Sequence, residues 1–258
     1  MKKFLCLVSC FVPVMLFAQT PFDGTWKTNM AQSKLSQKPN LFSVNNGMYD
    51  CESCVPQIHV KADGQDQPVV GQPYDTIAVQ VVDANSIHLT GKKAGKTEFE
   101  ATRTASQDGK SLTVSRTDYP VDGSQPVKLE VKFTRVSQGP AGSNATSGSW
   151  RIENVNEDAA GLTSTWKSVG DGLSISTPTG YGWEAKFDGK DYPVKGTYAN
   201  RTVSLKSLGD HSIEVTHKRD GKIETVDKIT VSPDGKKMTT VVDNQLTGRV
   251  STFTDERQ

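Results

Sequence analysis

Lys61-Ala62-Asp63-Gly64-Gln65-Asp66-Gln67-Pro68-Val69 returns later in the chain as Lys186-Phe187-Asp188-Gly189-Lys190-Asp191-Tyr192-Pro193-Val194. Other blocks recur around this pair in the same order. Gly24-Thr25-Trp26-Lys27 is matched by Gly148-Ser149-Trp150-Arg151, and Ser86-Ile87-His88-Leu89-Thr90 by Ser212-Ile213-Glu214-Val215-Thr216. Asp108-Gly109-Lys110 is matched by Asp234-Gly235-Lys236, and the offset stays between 124 and 126 residues. Ordered matches with so little drift mark an internal duplication. The unit of about 110–120 residues is a normal domain size.

Within each copy the hydrophobic period is two. Val127, Leu129, Val131 and Phe133 alternate with polar neighbours, as do Val203 with Leu205, Ile213 with Val215 and Ile229 with Val231. Such alternation predicts strands with one inward face. Asp-Gly recurs between the runs, at Asp63-Gly64, Asp108-Gly109, Asp122-Gly123, Asp188-Gly189, Asp220-Gly221 and Asp234-Gly235. These pairs suit the positive-φ positions of hairpin turns. A meander with one apolar face removes its exposed edges by closing on itself. The expectation is therefore all-β: two tandem antiparallel up-and-down barrels, over residues 19–136 and 148–258. The Gly/Ser/Pro-rich stretch 137–147 between them has no large apolar residue and reads as an exposed linker.

The chain start is of a different kind. Lys2 and Lys3 precede an apolar run from Phe4 to Phe17, and Ala18 offers a small residue for cleavage. Residues 1–18 read as a signal peptide, which places the mature chain in the periplasm or outside the cell. The run is too short for a relaxed membrane span of about 20 residues. Cys51 and Cys54 then remain as a local pair, read as a disulfide in an oxidising compartment. Lys plus Arg number 30 against 29 acidic residues. That balance gives no electrostatic reason to expect nucleic acid or an anionic membrane as partner.

Gly24-Thr25-Trp26 and Gly148-Ser149-Trp150, each at the head of a meander, resemble the N-terminal signature of lipocalins. The resemblance implies that each Trp plugs one barrel end under a base from the last strand. Arg135 is the candidate base for Trp26. In the second copy Phe253-Thr254-Asp255 aligns with Phe133-Thr134-Arg135, so Asp stands where Arg is expected, and Arg257 is the substitute two residues on. The mature chain is also similar to a group of exported acidobacterial proteins, through Phe187–Val194, Val203-Ser204-Leu205-Lys206 and Ser232-Pro233-Asp234-Gly235-Lys236-Lys237. That likeness implies a localisation and a fold, and no chemistry.

No phosphate loop, dinucleotide fingerprint or nucleophile elbow is present, so no cofactor is implied and the chain reads as non-enzymatic. The histidines, His59, His88, His211 and His217, recur as no pair between copies, which gives no basis for a metal site. His88 and His217 read as surface strand residues. Trp166, Tyr181, Trp183 and Tyr198 are the candidate ligand-binding residues, as walls and mouth of an apolar pocket. The expected function is an exported, monomeric binding protein for a small apolar ligand. The alternative is a structural or interaction protein, with filled barrels whose loops bind a macromolecule.

Overall fold

The computed structural model describes residues 20–197 and 200–258. The proposed signal peptide lies outside them. No helix among the described residues is long and apolar enough to cross a membrane. The chain is all-β, as its period predicts. Its strands run β1 (Gly24–Thr28), β2 (Asn40–Asn45), β3 (Met48–Cys51), β4 (Ile58–Lys61), β5 (Gln67–Pro68), β6 (Thr76–Asp83), β7 (Ser86–Lys93), β8 (Lys96–Ala105), β9 (Ser111–Asp118) and β10 (Val127–Gln138). They continue as β11 (Gly148–Glu157), β12 (Thr163–Val169), β13 (Gly172–Ser176), β14 (Gly182–Lys186), β15 (Tyr192–Lys195), β16 (Arg201–Gly209), β17 (Ser212–Arg219), β18 (Lys222–Val231), β19 (Lys237–Asn244) and β20 (Arg249–Arg257).

The strands form two antiparallel barrel-like sheets. One is a closed barrel in the order β1-β12-β13-β14-β15-β16-β17-β18-β19-β20. The other is a curled sheet in the order β4-β3-β2-β11-β10-β9-β8-β7-β6-β5, whose edges are β4 and β5. The assignment of strands does not follow the two copies. β1 leaves its own copy and pairs with β12 and β20, so it completes the C-terminal barrel. β11 belongs by sequence to the second copy, yet it pairs with β10 and β2. The curled sheet is therefore built from one contiguous segment, residues 40–157. It is inserted into the C-terminal barrel between that barrel's first and second strands.

This arrangement corrects the domain limits expected at 19–136 and 148–258. It also corrects the linker at 137–147: residues 137–138 end β10, and 139–147 form the β10–β11 turn, whose second half packs into the curled sheet. Thr146 and Ser147 are buried. Asn144 N–H donates to Val44 O at 2.9 Å and Ala145 N–H to Ala84 O at 2.9 Å. The chain crosses between the sheets in residues 29–39 and 158–162 instead. The first crossing lies against β20: Lys34 pairs with Thr252, and Arg249 donates to Pro39 O at 2.8 Å.

Five of the six Asp-Gly pairs sit in turns that join paired strands, whereas Asp63-Gly64 lies between β4 and β5, the two edges of the curled sheet. Gly109 and Gly235 adopt φ of 67° and 69°, which side chains other than Gly rarely tolerate. Asp108 accepts from Lys110 N–H at 3.0 Å, and Asp234 from Lys236 N–H at 3.1 Å. Each also accepts a Ser hydroxyl, from Ser106 and Ser232 at 2.6 Å. These hydrogen bonds hold both carboxyls below their ordinary value. The two turns are thus the same device in both copies.

Candidate functional site

The barrel ends fix the geometry first. Trp26 and Trp150 are fully buried. Trp150 Nε1 donates to Thr146 O at 2.8 Å, and the Arg135 guanidinium lies 3.9 Å from its ring centroid. Arg135 also donates to the carbonyls of Ser147 at 2.7 Å and Ala145 at 2.6 Å. Trp26 repeats the arrangement. Its Nε1 donates to Phe22 O at 2.8 Å, Arg257 lies 4.3 Å over its ring, and Arg257 donates to Pro21 O at 2.7 Å and Gly235 O at 2.6 Å. So the base over Trp26 is Arg257, and Arg135 covers Trp150. The expected Trp26–Arg135 pairing is corrected by the exchange of β1 and β11. Asp255 does not stand at the Arg position. It pairs across the ladder with Thr28 as Phe133 pairs with Ile152, so Asp255 is the counterpart of Phe133.

Ladder register identifies counterparts throughout the two interiors, and it shows how their fillings differ. In the curled sheet Phe99 lies against Gly91, which has no Cβ to obstruct the ring. Tyr74 meets Phe99 edge-on at 5.2 Å and Arg116 stacks on it at 4.1 Å. Arg103 stacks 4.0 Å over Phe42 and donates to Tyr49 Oη at 3.0 Å. In the closed barrel the counterparts of Gly91 and Phe99 are His217 and Thr225, and that of Ala101 is Asp227. Phe133 and Ile152 become Asp255 and Thr28. Arg103 becomes Ile229, since Arg103 faces Val114 as Ile229 faces Thr240. Phe99, Phe133, Ile152 and Arg103 thus give way to smaller groups, while Gly91 and Ala101 give way to larger polar ones.

The result is a cavity of about 260 Å³ in the closed barrel. Trp166, Tyr181 and Trp183 all line it, so the structure brings together three of the four residues singled out as ligand-binding. Tyr198 lies outside the described residues. Trp166 and Trp183 meet edge-to-face at 5.7 Å. Tyr181 also borders a cleft of about 620 Å³ that both sheets line, with Tyr74, Arg116 and Glu157 from one and Arg201 from the other. Burial pushes the Tyr181 hydroxyl up to about 12. The ring therefore stands, as a neutral phenol, between the cavity and the cleft.

The cavity's polar side was not legible in the sequence. His217 Nε2 lies 3.2 Å from Asp227 Oδ2. Asp227 Oδ1 is buried and has no hydrogen-bond partner among the described residues. Asp255 is 7% exposed and accepts from Thr28 Oγ1 at 2.6 Å, and burial raises its carboxyl above the ordinary value. The reading of His217 as a surface residue is corrected: it follows Ile213 and Val215 at period two on the inner face of β17. That period, together with Asp227-Ile229-Val231, was the available signal. His88 is on the outer face, 3.1 Å from Thr102 Oγ1.

Cys51 and Cys54 are joined by a disulfide. Cys51 packs into the core of the curled sheet, away from the cavity. Comparison with protein-family models, with curated proteins and with solved structures finds no match for this chain.

Proposed function

We propose that the chain is an exported, non-enzymatic binding protein that holds a small ligand inside its C-terminal barrel. The observation that carries the reading is the contrast between two interiors of one duplicated design. One is filled at the levels where the other leaves a space walled by Trp166, Tyr181 and Trp183. Stable interiors are close-packed, and a void forfeits contacts on every side. A space kept beside aromatic walls and buried polar groups is the usual form of a ligand site. Its volume lies below the roughly 300–1,000 Å³ of drug-sized pockets, so the occupant is small.

The N-terminal sheet supports the other role considered from the sequence. Its interior is packed, which suits a scaffold or a loop-bound macromolecular contact. Native mass spectrometry of the full mature chain from its own host tests the ligand reading. The expected result is a bound small molecule that is lost in Thr240→Trp, which places an indole in the cavity and whose native fold is checked by circular dichroism. Retention of the adduct in Thr240→Trp, or no adduct at all, overturns it.

A further inference from the structure

We propose that the ligand of the closed barrel is a small organic cation, a protonated or quaternary amine on an apolar body. This rests on the reading of the cavity as a ligand site, and it names the chemistry of the occupant. The argument is the internal comparison. The curled sheet carries its own cations on its interior rings. Arg103 lies 4.0 Å over Phe42 and 5.7 Å from the Tyr49 centroid. Arg116 lies 4.1 Å over Phe99 and donates to both oxygens of Asp118. The closed barrel has lost both: Ile229 stands for Arg103 and Val242 for Arg116, each identified by its ladder partners. It has lost the rings of Tyr49, Phe99 and Phe133, to Leu173, Thr225 and Asp255, but it sets indoles at two neighbouring places, with Trp166 at the Phe42 position and Trp183 at the Ile58 position. It has also gained two carboxylates, Asp227 for Ala101 and Asp255 for Phe133.

Rings and carboxylates without a guanidinium form a receptor for a cation. No Lys or Arg lines the cavity among the described residues, and the one base is His217, already on Asp227 Oδ2. Asp227 Oδ1 is left with nothing to accept from. An ionised carboxylate taken out of water without a counter-charge is costly, and a bound ammonium offsets that cost. Indole faces add attraction for the same cation. An anionic ligand meets the carboxyls of Asp227 and Asp255 there, and a purely apolar one leaves Asp227 Oδ1 without a donor.

Three probes of similar shape test this on the full mature chain by isothermal titration calorimetry: 2-phenylethylamine, 2-phenylethanol and 3-phenylpropanoate. The amine is expected to bind at least about tenfold more tightly than the alcohol, and the carboxylate not measurably. Asp227→Asn and Asp255→Asn are each expected to remove most of that preference while leaving the alcohol's affinity nearly unchanged. Ile229→Arg, which installs the other copy's cation, is expected to abolish amine binding. The comparison of probes in the unaltered chain needs no variant to fold. Equal binding of amine and alcohol, both lost in Thr240→Trp, overturns the cation and leaves the cavity as a ligand site. Tightest binding by the carboxylate also overturns the cation. Failure of all three probes to bind overturns both readings.

Discussion

Trp26→Ala separates the exchanged arrangement from two self-contained copies. Trp26 lies in the first copy by sequence, but its ring closes the C-terminal barrel. It is fully buried, so truncation to Ala costs about 3–5 kcal/mol. Two contacts go with the ring: the Arg257 guanidinium at 4.3 Å, and the Nε1 hydrogen bond that satisfies Phe22 O. Each is of order 1 kcal/mol and overlaps with the truncation term, so the upper part of that range applies. At about 1.4 kcal/mol per decade, this amounts to roughly three decades in the opening equilibrium of the barrel. Native-state hydrogen exchange read on proteolytic peptides is the assay, since amides protected by cooperative opening report the stability of their own unit. Amides of β13, β14, β19 and β20 are expected to exchange about a thousandfold faster, while those of β6 to β9 keep their rates. Trp150→Ala is the mirror image and should accelerate β6 to β9 alone. Acceleration of β6 to β9 by Trp26→Ala, with β13 to β20 unchanged, refutes the exchange.

Because the curled sheet is contiguous, a fragment of residues 40–157 should fold alone with a cooperative melt by circular dichroism, whereas 19–138, which lacks β11, should not reach the native sheet. Replacing Cys51 and Cys54 together by Ala should cost less than about 2 kcal/mol in chemical denaturation, because the bridge closes a very short loop. Burial raises the Asp255 carboxyl, so the folded chain holds that proton more tightly than the unfolded chain does. Its ionisation therefore removes stability as pH rises from the unfolded value near about 4 through the native value, and the loss is complete above it. Asp255→Asn should accordingly stabilise the ligand-free protein at pH 7, with the difference shrinking as pH falls through that window in thermal melts.

The duplication, the all-β meander and its hairpin turns were legible because each rests on local chemistry: period two, Asp-Gly, and repeated blocks. The exchange of β1 and β11 was not legible, for a physical reason. Both strands carry Gly-x-Trp and the same inward period, so either fits the same gap, and only the connections decide which one enters. The Gly, Ser and Pro content of 137–147 predicts a linker, but residues 137–138 end β10. Residues 139–147 make a hairpin turn once Asn144 and Ala145 find backbone partners on Val44 and Ala84. Phe253 was aligned with Phe133 on residue type, whereas the ladder sets Asp255 there. That two-residue error hid the inward carboxylate. It also left Arg257, the true counterpart of Arg135, as a substitute rather than the plug.

The two copies divide their residues by role, and the division locates the site without any outside comparison. Positions that agree in character build the fold: Trp26 with Trp150, Arg257 with Arg135, Ile77 and Val79 with Val203 and Leu205, Ile87 and Leu89 with Ile213 and Val215. Among the inward-facing positions that change character, Gly91, Ala101, Arg103 and Phe133 become His217, Asp227, Ile229 and Asp255, and all four of these line the cavity. Outward-facing positions differ as well, as His88 and Glu214 do, but interior changes are the costly ones. The closed barrel sets smaller groups in place of Phe99, Arg103 and Phe133 and buries the Asp255 carboxyl beside them. Exchanging stability for a polar interior is what a binding site requires. The curled sheet keeps its interior filled, and the strain of an open interior is confined to the barrel that β1 completes.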